Sequence, residues 1–229
     1  MSFLFESFDG WRQYCDQHQM SLSEVVREYE QTQKGSSEAE IRSGLMAAWQ
    51  VMKSAVNTGL EEEMTSRSGM INNGAKKVYR YPTPVLSKEF QNLIARALAA
   101  KEVNSCMGRI VAAPTAGASG IMPGVLYTLQ EIHQINDEKI IDAMLIAAGI
   151  ALIMEQKASI SGAVGGCQAE TGTAAAMGSG AIVYCLGGST TQIFSGVPIT
   201  VQSMLGSVCD RALDLVQVHY VVPNDSAAP

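Results

Sequence analysis

Residues 143–154 form the longest run of purely apolar and small side chains, and that run narrows the possible folds more than any other feature. A helix that crosses a bilayer needs roughly 20 such residues. This run is shorter, so it reads as a helix buried in a protein core. The chain around it is long enough to build that core: it has 229 residues, 47% of them hydrophobic and only 17% charged, with glycine and alanine frequent. That balance suits close-packed helices or an assembly surface such as a homo-oligomer would use, and does not suit a disordered chain. The net charge of −6, with no basic stripe among aromatics, speaks against nucleic acid as a partner. The opening residues, MSFLFESFDG, lack the basic and apolar regions of a secretory signal. The expectation is a cytoplasmic protein that binds neither membrane nor nucleic acid. Its five cysteines are then reduced, metal-bound or catalytic rather than paired.

Helical signals dominate the rest. Ser21 and Glu24 have the spacing of a capping box, in which a hydroxyl and a carboxylate satisfy the first open N–H groups of a helix. They predict a helix over 22–33 that ends at Gly35. Ser37 caps a longer one reaching Gly59. Pro82 and Pro84 make 78–85 extended or loop. Ser87 opens a helix whose apolar positions, Phe90, Leu93, Ile94, Ala97 and Leu98, repeat at helical spacing. Further helices are predicted over 121–133, 138–155, 169–186 and 190–214, separated by glycine-containing turns at 114–120, 162–166 and 187–189. No segment alternates as a strand would. The fold class expected is all-α, one largely helical domain over residues 1–229.

Two segments could carry chemistry. In the first, APTAGASG at 113–120, small residues permit close backbone approach, and N–H groups ahead of a helix can bind a carboxylate or phosphate. Thr115, Ala116, Gly117, Ser119 and Gly120 are its candidate substrate-binding residues; a tight interhelical turn is the plainer reading. The second, 158–172, places Cys167 after paired glycines at a helix start, where the backbone field favours a thiolate. A small buried residue is the plainer reading here. Glu170, Lys157, Ser159 and Ser161 are candidate catalytic bases on their chemistry alone. Cys15, Cys106 and Cys185 read as core residues, and His18 and His133 as solvated.

Together, ASISGA–GGCQAE at 158–170 and APTAGASGIMPG at 113–124 resemble the α chain of bacterial iron–sulfur L-serine dehydratases. The likeness extends through Glu102-Val103-Asn104, the Gly187-Gly188 turn and LGSVCD at 205–210, and spans about 47–217. The resemblance implies a helical catalytic part that converts L-serine to pyruvate and ammonia, without the separate β (regulatory) domain. It implies a [4Fe-4S] cluster held by three cysteines, whose open iron acts as a Lewis acid on the serine hydroxyl. It implies a β chain as partner. Carried over by motif, Cys167 and Cys209 match the first two cluster cysteines. Tyr220 stands at the position of the third. Arg211 replaces a family proline, and Asn72-Asn73-Gly74 follow where Gly-Gly-Asp is usual. The family chain continues further, so this one is expected to be shortened at its C-terminus. Two readings follow: an L-serine ammonia-lyase working by iron-assisted elimination, or a degenerate, non-catalytic α-chain homologue lacking a stable cluster.

Overall fold

A computed structural model describes residues 5–206. Nine α-helices lie among them: α1 (Phe8–His18), α2 (Leu22–Lys34), α3 (Glu38–Glu61), α4 (Gly74–Arg80), α5 (Lys88–Ser105), α6 (Ile121–His133), α7 (Asp137–Lys157), α8 (Gly162–Cys185) and α9 (Thr190–Met204). The domain is all-α, with a single isolated bridge, Thr65 to Asn72, among the described residues. None of the described helices is long and apolar enough to cross a membrane.

The apolar run becomes the central helix, α7. It buries Ile140, Met144, Ala147 and Ala151 against α3, α6 and α8 in one core. On another side it buries Leu145, Ile146, Ile150 and Ile153 against Trp11, Val25, Val26 and Val197 from α1, α2 and α9. A helix apolar on all sides can serve two cores at once.

Local sequence sets the helix ends. Ser21 with Glu24 and Ser37 with Glu40 form complete capping boxes. Gly35 ends α2 in the left-handed region (φ 69°), a conformation with little penalty for glycine. Several elements differ from expectation. Helix α1 carries no predicted counterpart, and α8 begins at Gly162, inside the turn expected at 162–166, with its break confined to Gly166. Helix α5 runs on through Ser105, because its last turns are buried and packing sustains them. Helix α4 occupies Gly74–Arg80, partly where the prolines predicted loop. Its first N–H groups, from Gly74 and Ala75, donate to Glu102 Oε1 at 2.7 and 3.3 Å. The cap comes from α5, not from the neighbouring sequence, so local patterning carries no sign of it. The helix expected over 190–214 is observed as Thr190–Met204, and Asp214 lies outside the described residues.

Helix α5 is gripped closely by its neighbours. A Cβ on Gly59 of α3 would lie 2.4 Å from the Ala99 carbonyl oxygen, and one on Gly124 of α6 would lie 2.8 Å from Ala97 Cβ. Backbone atoms cannot step aside as a flexible side chain can. Gly59→Ala is therefore expected to destabilise the fold by about 1–3 kcal/mol, the usual effect of overpacking. Urea unfolding would register this as a lower midpoint at unchanged slope. An unchanged midpoint would show that α3 and α5 can separate at little cost.

Candidate functional site

The 113–120 segment wraps into a single 3-10 turn, Ala116–Ala118, between the end of α5 and the middle of α8. Ala118 packs with Ile121, Ala174, Ala175 and Met204. From α5, Asn104 Nδ2 donates to the Ala116 carbonyl at 2.8 Å, and Lys101 Nζ does so at 3.4 Å. The loop is thus held on both sides. The N–H groups of Ala118 and Ser119 donate to the Thr115 and Ala116 carbonyls. They are spent inside the turn and are not presented to a ligand. What the loop does present is hydroxyls: Thr115 Oγ1 and Ser119 Oγ are buried without a hydrogen-bond partner.

Helix α8 approaches from the opposite side with Cys167 and Glu170, three positions apart and so on one face. It is two helical pieces joined at Gly166, whose φ of 70° and ψ of −178° break the spiral. Cys167 therefore opens the second piece, as the paired glycines suggest, and it is buried. Glu170 is 6% exposed, and its Oε2 has no hydrogen-bond partner. The turn before Gly166 folds over this carboxylate: a Cβ on Gly162 would come within 2.6 Å of Oε2. Lys101, 1% exposed, completes the group. Burial pushes its ammonium down to about 8, against the opposing pull of Glu170 and, more weakly, Cys167 toward the charged form. A buried carboxylate and a thiol thus lie within electrostatic reach of a buried cation at the loop. Buried charges of this kind cost stability, and such groups cluster at functional sites.

The structure separates the four candidate bases. Glu170 belongs to this group. Lys157 is exposed at the end of α7. Ser161 is exposed and caps α8, accepting from Ala163 N at 3.3 Å. Ser159 Oγ accepts from Ser161 N at 3.1 Å within the same connection. The two serines shape the turn over Glu170. Lys101 and Asn104 were not singled out as site residues from sequence. A signal for Lys101 exists: it continues the stripe of Ile94, Ala97 and Leu98 along α5, where another apolar residue belongs.

The other described cysteines lie in the packing. Cys185 and Cys15 belong to the two cores flanking α7, and burial pushes each thiol up to about 11. Cys106 caps the end of α5. Cys209 and Tyr220 lie outside the described residues. Gln168, next to Cys167, donates to the Met204 carbonyl at 3.2 Å, so the end of α9 is tied to the same helix start. A four-iron cluster with one open iron needs three thiolates. Among the described residues no three His, Cys, Asp or Glu side chains converge as metal donors. Cys167 is the one soft donor of the group, and Glu170 and Lys101 are not soft ligands. The described donors do not by themselves fit the cluster.

Residues 17–226 match the family model for the serine dehydratase alpha chain. The chain belongs to this family. Its relatives include the L-serine dehydratase alpha chain of Peptoniphilus asaccharolyticus, 36% identical over 206 residues, which are 89% of this chain and 70% of that protein. The probable L-serine dehydratase alpha chain of Bacillus subtilis is 36% identical over 215 residues, covering 92% of this chain and 71% of the other. The L-serine dehydratase of Streptomyces coelicolor is 35% identical over 216 residues, but these make up only 47% of its length. A serine dehydratase alpha chain thus accounts for more of the proteins named as alpha chains than of this longer one.

Proposed function

We propose that this chain is the catalytic α part of a cytoplasmic L-serine ammonia-lyase, with the site at the junction of the 113–120 loop, α5 and α8. The observation that carries the proposal is Glu170: a buried carboxylate, one oxygen without a partner, beside a buried lysine, in a family whose relatives are named for L-serine. Such a group is equipped to take the α proton of a bound amino acid. Loss of that proton and of the β hydroxyl removes one water from L-serine and leaves aminoacrylate. Its imine tautomer then hydrolyses to pyruvate and ammonia. Thr115 and Ser119 would orient the substrate with their buried hydroxyls.

The resemblance adds an iron–sulfur cluster at Cys167 and Cys209 and a β chain as partner. The donors described here do not complete such a cluster, so no step is assigned to it. Tyr220 at the third cysteine position favours a second reading: a non-catalytic α-chain homologue that keeps the fold and the amino-acid site. Anaerobic reconstitution with iron and sulfide, followed by a pyruvate assay with L-serine and a β chain supplied, separates the two. Four irons per chain and serine-dependent pyruvate are expected, and Cys167→Ala should abolish both. A colourless protein without turnover would sink the lyase and leave the second reading.

A further inference from the structure

We infer that Asn104 is a positioning residue of the site: its side-chain amide holds the Ala116 carbonyl against the end of α5 and so fixes where the Ser119 hydroxyl stands for the substrate. The inference deepens the proposed function and rests on its placement of the amino acid at the 113–120 loop. Asn104 is half-buried in the last turn of α5, and its Nδ2 donates to the Ala116 carbonyl at 2.8 Å. The same oxygen accepts the Ser119 N–H at 3.3 Å, the bond that closes the 3-10 turn, and Lys101 Nζ at 3.4 Å. Asn104 is the closest of the three donors.

Packing does not do this work for it. Ala118 is fixed among Ile121, Ala174, Ala175 and Met204, but Ala116 is exposed. A single 3-10 turn has poorer hydrogen-bond geometry than an α-helix and holds its own shape weakly. The direction of the Ala116 carbonyl is therefore set from α5. That carbonyl in turn holds the Ser119 N–H, so Asn104 Nδ2, Ala116 O and Ser119 N form one connected chain of hydrogen bonds. Ser119 stands at its end, 1% exposed, with an Oγ that has no hydrogen-bond partner. A buried hydroxyl left in that state costs free energy, and a polar group of a bound amino acid would supply the partner. A hydroxyl serves this purpose only where it is held in place, because a small displacement breaks so short and directional a bond.

The test is calorimetric titration of the full chain with L-serine, on the parent, Asn104→Leu, Ser119→Ala and the double variant. Each single variant is expected to bind L-serine about 3- to 10-fold more weakly, the range that one hydrogen bond contributes. If Asn104 acts through Ser119, the double variant should bind no more than about twofold more weakly than the weaker single one, whereas independent roles would multiply. Asn104→Leu should also quicken amide hydrogen exchange over 113–120 while the core helices keep their protection. Losses that multiply overturn the link from Asn104 to Ser119. Undiminished affinity in either single variant, or unchanged exchange in the loop, overturns the role of Asn104. In each of these cases the serine reading stands. Asn104→Ala, made in parallel, gives the same comparison if leucine prevents folding. A parent chain that does not bind L-serine overturns both this inference and the serine reading.

Discussion

Glu170→Gln is expected to lower the turnover of L-serine to pyruvate by about 10²- to 10⁴-fold, the range that general bases contribute. Glutamine keeps the shape and removes the basic oxygen. Nothing in the fold depends on that oxygen: Glu170 Oε2 has no hydrogen-bond partner, and Gly162 leaves just enough room above it. A steady-state assay beside a thermal melt would separate chemistry from folding. Turnover within a few fold of the parent chain would remove Glu170 from the base's role.

The parts of this structure that sequence reveals are those decided within a few residues. Both capping boxes and the glycine that ends α2 follow from local hydrogen-bonding needs. The all-apolar run could only be a buried helix, and it became the one that serves two cores. Helix α4 was hidden because Glu102, 28 residues away in sequence, supplies its cap. The site shows the same division. Glu170 was visible as a candidate because its motif stands out, yet Lys157, Ser159 and Ser161 were chemically equal to it on paper. Only burial and contact divide the four. Lys101 was hidden in a different way. A lysine amid Leu98, Ala99, Ala100 and Val103 interrupts an apolar stripe, and only the helices around α5 show that no solvent reaches it. A charged residue on an apolar stripe is thus a better marker of a site than one on a polar face, because its burial has to be offset by function or by a partner.

The backbone at Gly166 sets how this group of side chains is assembled, and Gly166→Ala is expected to disable it. A φ of 70° with a ψ of −178° belongs to a region that is essentially glycine's alone, and forcing a side chain into it costs about 1–3 kcal/mol. The chain can relieve that cost by straightening the break, joining the turn of 162–165 smoothly to the helix that begins at Cys167. Straightening would lift Gly162 from over Glu170 and re-aim Cys167, which owes its place at a helix start to the interruption. Gly187 is the control. It also has a positive φ, 82°, and an added Cβ there would meet nothing within 4 Å. It follows the far end of α8, and the helix from Cys167 to Cys185 alone spans about 27 Å at the normal rise per residue. Both alanine variants should lower stability by about 1–3 kcal/mol in urea unfolding. Gly166→Ala alone should also lose at least about tenfold in L-serine turnover, because small displacements of reacting groups carry large rate penalties. Equal turnover in the two variants would mean that Cys167 and Glu170 hold their places without the break, and that the glycine before the cysteine serves only the path of the chain.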